Sequence, residues 1–187
     1  KLSKAIENKI VVNYLRRFEP SLIDIKNNIV SGFYGNPLKV INNYAKGLRH
    51  NGSHNIDLMN YFFANLEIKD VKVLDNVDDY NSEDLSYDLF LKVTSNSNDF
   101  GIYFIAGDER KYSIFEIELF FEKARVKIED FGRTVKVSNI IEDPDYSDYK
   151  IINNKPTGIK TNDKFAILNL YNYIVNMEKN NFKNISS

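Results

Sequence analysis

Apolar residues recur along this chain with two different periods, and the switch between them divides it. In KAIENKIVVNYLRRF the β-branched run Ile10-Val11-Val12 predicts the end of a helix running into a short strand. Behind Pro20, Leu22, Ile25 and Ile29 repeat at helical spacing. Ser21 is the expected N-cap, Asp24 its capping-box partner three residues on, and Gly32 the stop. NPLKVINNYAK alternates at Leu38 and Val40 and predicts a strand. HNGSHNIDLMNYFFANL then reads as a helix whose Ile56, Met59, Tyr61, Phe62 and Phe63 form a broad apolar face.

From there the period shortens. IKDVKVLDNV, SYDLFLKVTS, FGIYFIAG, KYSIFEIELFF, ARVKIEDF and TVKVSNII predict consecutive strands, separated by turn-rich pieces such as NSNDFG and DFGR. A closing helix in TNDKFAILNLYNYIVNMEKN would turn Phe165, Leu168, Tyr171, Ile174 and Val175 inward, with Asn162 or Asp163 as its cap. Strands that follow one another without intervening helices imply antiparallel pairing. The fold class is therefore α+β, with a large, mostly antiparallel open sheet and helices on one face. The other face would seek a partner, so a homodimer or tetramer through the sheet is expected.

Composition narrows the function classes. The 187 residues suit one domain of ordinary size, and 43% hydrophobic against 27% charged residues is a globular balance. No apolar stretch approaches the roughly 20 residues of a membrane span. Net charge is -1, from 25 basic and 26 acidic residues without a basic block, which argues against nucleic acid as a partner. The absence of cysteine removes disulfides, thiolate metal sites and a cysteine nucleophile, and suits the cytoplasm. KLSKAIENKI does not read as a signal peptide; it is unusually apolar for a free terminus and reads as something cut.

Both histidines fall in YAKGLRHNGSHNIDLMNYFF, where His50, His54 and Asp57 stand at i, i+4 and i+7 on the expected helix. One reading makes a histidine the general base for a hydroxyl proton. A second makes the three an open metal site, although Asn51 stands where an HExxH motif has glutamate. A third makes them ordinary polar residues at a helix start. Lys46 and Arg49 could fix an anionic or polyhydroxyl substrate, and Asn51-Gly52-Ser53 offers free helix-start amides. Tyr44, Lys46, Arg49, His50 and Asn51 are the substrate-binding candidates. The acid-rich DNVDDYNSED and EDPDYSD read as solvated turns.

Three pieces, in order, resemble the glucose-fructose oxidoreductase, inositol dehydrogenase and MocA family, Gfo/Idh/MocA. Arg17, Phe18 and Pro20 match its R-F-x-P turn, and Gly32 and Gly35 its G-x-x-G step. Gly52, His54 and Asp57 match its D-x-G-x-H-x-x-D helix, with His50 where many members have aspartate. The strand-rich middle and closing helix keep the family's order. The resemblance implies the C-terminal half of an NAD(P)-dependent oxidoreductase acting on a sugar, sugar acid or nucleotide sugar. In that half His54 is the catalytic base, and Asp57 and Arg17 support it. It further implies that residues 1–18 end a preceding cofactor domain and residues 19–187 form the substrate-binding and oligomerisation domain. NAD or NADP would be held by the preceding domain, and this chain alone would bind neither. A non-catalytic α+β assembly module is the alternative from a different class.

Overall fold

The computed structural model describes residues 12–179. A 3-10 turn, Leu15–Phe18, leads into α1, Pro20–Val30. Pro20 takes the first helical position, where its missing N–H costs nothing, and the cap is Glu19, whose carboxylate accepts from the Leu22 amide at 3.2 Å and from the Ser21 hydroxyl. Ser21 is thus inside the helix rather than its cap: Pro20 fixes the helix start two residues earlier than a Ser21 cap would set it. At the other end Phe33 N–H bonds to Asn28 O and Gly32 N–H to Ile29 O, both at 3.0 Å, with Gly32 at φ 71°. This paired closure needs a left-handed residue, which is why glycine stands there.

The strands are β1 Pro37–Tyr44, β2 Glu67–Val77, β3 Ser86–Ser95, β4 Asn98–Ala106, β5 Phe115–Phe121, β6 Ala124–Glu129, β7 Thr134–Glu142, β8 Lys150–Ile152 and β9 Thr157–Lys160. They form a sheet in the order β2-β3-β4-β1-β5-β6-β7-β8, with β9 also on β7. β1 runs parallel to β4; the other pairs are antiparallel. All six strands expected after the second helix are present. The expected strand at Ile10–Val12 lies outside the described residues except for Val12, which is in no strand.

Alternation sorts the faces. Val40, Tyr44, Ile102, Phe104, Phe115, Ile117, Leu119, Val126 and Ile128 point one way and are buried under Leu22, Leu58, Met59 and Phe62. The intervening positions are partly open, and there Lys127 bridges Glu118 at 2.8 Å and Glu129 at 3.2 Å, while Lys136 reaches Glu129. The second helix, α2, spans Ser53–Phe62 and is pinned to the sheet's centre by a buried amide pair. Asn55 donates to Asn42 Oδ1 at 3.3 Å, and Asn42 donates to Tyr103 O at 3.2 Å.

The last helix, α3, spans Asp163–Lys179, and the Asn162 side chain accepts from the Lys164 amide at 3.0 Å. Its expected inward face is turned outward: Phe165 is 56%, Leu168 52% and Tyr171 63% exposed. Contact runs instead through Ala166, Asn169 and Tyr173. Asn169 donates to Phe18 O at 2.9 Å and the Tyr173 ring lies 5.3 Å from Phe18. Through these residues the helix rests on the 3-10 turn. Among the described residues no helix is long and apolar enough to cross a membrane.

Candidate functional site

The chain leaves β1 at Tyr44 and turns through Lys46 and Gly47, both left-handed, at φ 72° and 78°. A side chain at Gly47 would overlap the Asp84 carboxylate, so glycine is required there by proximity as well as by φ. A π-helical turn, Gly47–Gly52, then runs directly into α2. Such wide turns are uncommon and recur at functional sites. A Cβ on Gly52 would come within 2.8 Å of Leu48 and 3.1 Å of Tyr44, so this glycine serves packing.

His54 is the second residue of α2. Its ring meets Tyr14 edge-on, with centroids 5.3 Å apart. Nδ1 is buried and has no hydrogen-bond partner among the described residues. Burial, first, and then the positive charge of Arg16 hold His54 below the ordinary imidazole value, with Asp57 pulling the other way. The ring is therefore neutral at pH 7. Asp57 is claimed on both oxygens by Arg17: Nε donates to Oδ2 and Nη2 pairs with Oδ1, each at 2.7 Å. Burial pushes the Asp57 carboxyl up, against the downward pull of Arg17. Of the three residues expected to act together, Arg17 and Asp57 are paired, and His54 stands three residues before Asp57 on α2.

The other candidates go elsewhere. Tyr44 is fully buried, and its hydroxyl both accepts from Tyr87 N–H at 2.6 Å and donates to Tyr87 O at 3.0 Å. Burial takes its hydroxyl up to about 12, so it is a core residue rather than a substrate ligand. Arg49 is tied to Asp84 at 3.5 Å and to Glu83 O, on the side of the β2–β3 loop. His50 is exposed, with its ring 5.8 Å from Tyr80. His50 lies in the π-turn and His54 and Asp57 in α2, and among the described residues no three histidines or acids are placed to hold a metal.

The five amides that precede Asn51-Gly52-Ser53 are all engaged. Lys46 N–H donates to Asp79, Gly47 N–H to Ser86 Oγ at 2.9 Å, Leu48 N–H to Leu85 O at 3.0 Å, Arg49 N–H to Asp84 Oδ1 at 2.9 Å and His50 N–H to Asp84 Oδ2 at 3.0 Å. DNVDDYNSED is thus not simply a solvated turn: Asp79 and Asp84 are buried in it, because amides from a segment more than thirty residues away need acceptors. Composition carried no signal for this. EDPDYSD, by contrast, is an exposed turn closed by Asp143 on the amides of Asp145 and Tyr146.

Arg16 was also missed, although it adjoins the R-F-x-P turn. Its guanidinium lies 3.8 Å over the Phe115 ring and donates to Phe131 O at 3.1 Å. With Glu19, Phe131, Arg133 and Asp163 it lines a cavity of about 260 Å³.

The described residues form a nine-stranded, mostly antiparallel sheet carrying three α-helices, which defines the class as an α+β fold. No protein-family model and no curated protein sequence matches the chain. Solved structures do. An oxidoreductase from Sinorhizobium meliloti superposes with a TM-score of 0.63 at 11% identity, over 91% of this chain and 54% of that one. KijD10, a 3-ketoreductase from Actinomadura kijaniata in complex with TDP-benzene and NADP, gives 0.59 at 13% identity, over 90% and 54%. A super-repressor mutant of Gal80p from Saccharomyces cerevisiae gives 0.57 at 15% identity, over 98% and 56%. The likeness is one of fold, and the chain spans about half the length of the structures it matches.

Proposed function

We propose that this chain is the substrate-binding half of an NAD(P)-dependent oxidoreductase acting on a sugar, sugar acid or nucleotide sugar, with His54 as the general base. The observation that carries the reading is the unpartnered, buried Nδ1 of His54 on a ring held neutral beside the Arg17–Asp57 pair. A histidine kept for structure would have its nitrogens satisfied, because an orphaned buried polar atom costs about 1–3 kcal/mol. A ring already free of its proton can take one from a substrate hydroxyl. Arg17 and Asp57 hold the adjacent turn of α2, and Arg16, whose charge acts on His54, replaces Arg49 as the cation for an acidic substrate group.

These residues include no dinucleotide loop, so they do not fit a nicotinamide cofactor. On this reading residues 1–18 close a preceding domain that holds NAD or NADP as hydride acceptor, and the domain from residue 19 supplies substrate contacts and proton removal. The open sheet face, with Tyr103 and Ile105 exposed, supports assembly into a homodimer or tetramer. A cysteine-free chain with this role suits the cytoplasm.

The test is turnover by the full-length protein with NAD(P) across neutral sugars, sugar acids and nucleotide sugars. His54→Ala should lower kcat about 10²- to 10⁴-fold with cofactor binding retained. In the parent, kcat/KM should rise with pH as the ring loses its proton, at a midpoint below the ordinary imidazole value of about 6.5. Undiminished turnover in His54→Ala removes the base. It would favour a non-catalytic assembly module, a reading supported by the fold's occurrence in Gal80p, described as a repressor.

A further inference from the structure

Five consecutive amides, Lys46 to His50, find their acceptors on one distant segment, Asp79 to Ser86. Ordinary helix capping satisfies one or two amides from a residue next door. The arrangement here is different in scale and in origin. A π-turn has few bonds of its own, and in this one the Asn51 amide reaches Lys46 O at a long 3.4 Å. Its conformation is also not one that sequence would choose, since Lys46, a residue with a Cβ, is held left-handed at φ 72°. Something outside the turn must impose its shape. Asp84 is placed to do so: 8% exposed, it accepts from two adjacent amides, one on each oxygen. Behind it Asp79 and Ser86, both fully buried, bond to each other at 3.1 Å and take the amides of Lys46 and Gly47.

We propose that Asp84 is a positioning residue for His54: with Asp79 and Ser86 it clasps the π-turn and so sets where the imidazole stands relative to Tyr14, Arg16 and Asp57. The proposal deepens the functional reading above and rests on it for its meaning in catalysis. The clasp itself does not depend on turnover. The turn continues without a break into the first residues of α2, so a change in its winding moves His54 directly. A residue that merely stabilised the fold would have no such effect on the ring.

Two histidines in the whole chain make the test direct, because the imidazole protons give two signals and His50→Gln assigns them. The titration midpoint of His54 is followed by NMR in the full chain, in Asp84→Asn and in Ser86→Ala. Removing the Asp84 charge without movement would leave the midpoint where it is, since the charges that act on His54 are those of Arg16, Asp57 and His50. Releasing the turn lets water reach the ring and raises it toward the ordinary value. The expected result is a rise in Asp84→Asn, a smaller rise in Ser86→Ala, and exchange of the Gly47, Arg49 and His50 amides at least about tenfold faster, the loss expected for one net hydrogen bond. An unchanged or lowered midpoint in folded Asp84→Asn overturns the proposal. Should that variant not fold, Ser86→Ala decides it by the same criterion, having touched no charge. A raised midpoint together with full turnover in His54→Ala would keep the clasp and remove the base, so the two failures are told apart.

Discussion

Two helices of similar apolar content have opposite fates in this molecule. Helix α2 buries Leu58, Met59 and Phe62 against the sheet, and even its polar Asn55 and Asp57 are enclosed and paired. Helix α3 has more large apolar residues and leaves most of them bare: Phe165, Ile167, Leu168, Tyr171 and Ile174 are all exposed. The difference lies in what each helix has to lie on. α2 crosses the centre of a sheet nine strands wide, whereas α3 meets a four-residue turn. Apolar periodicity states that a face is available for burial; the supply of a facing surface decides whether it is buried.

The sharpest way to break this contrast is to truncate α2 at its deepest point. Phe62→Ala removes a fully buried ring from the centre of the core and should cost about 3–5 kcal/mol in denaturant unfolding. A loss under 1 kcal/mol would mean that α2 is not the organising helix. Tyr44→Phe is the milder probe of the same region. Deleting the hydroxyl strands Tyr87 N–H and should cost about 1–3 kcal/mol. If Tyr44 instead served substrate, stability would hold and KM would rise, an outcome that would reverse its assignment to the core.

Much of the architecture was legible because its signals are local. The six strands β2 to β7 are rich in β-branched and aromatic residues between turn-rich pieces, and each was readable within its own ten residues or so. β8 and β9 were missed since three or four residues, Lys150–Ile152 and Thr157–Lys160, are too short to show a period. The first helix was found, but its cap was misread because Glu19 precedes a proline that displaces the start. The site divides the same way. His54 and Asp57 were singled out by spacing within one helix and by resemblance, and the structure places both on α2. Arg16 and the Asp79, Asp84 and Ser86 clasp were not, because their roles depend on partners more than thirty residues away. Lys46 and Arg49 were assigned to substrate on charge, and charge does not say that Asp84 pairs with the Arg49 guanidinium or that Asp79 takes the Lys46 backbone amide.

The smallest expected effect tests the other half of the contrast. Leu168 and Tyr171 lie one turn apart on the bare side of α3, at 52% and 63% exposure. With little burial to lose, Leu168→Ser and Tyr171→Ser should each change unfolding free energy by no more than about 0.5 kcal/mol. That near-zero result is informative, because the same substitution on a covered face removes transfer free energy of about 1.5–3 kcal/mol for a leucine-sized side chain. A loss of that size in Leu168→Ser would show that this face is covered in solution. If the loss also grew with protein concentration in the parent comparison, the cover would be a second copy, since only an intermolecular contact makes stability depend on concentration. A loss independent of concentration would place the cover within the same chain and bring α3 into line with α2.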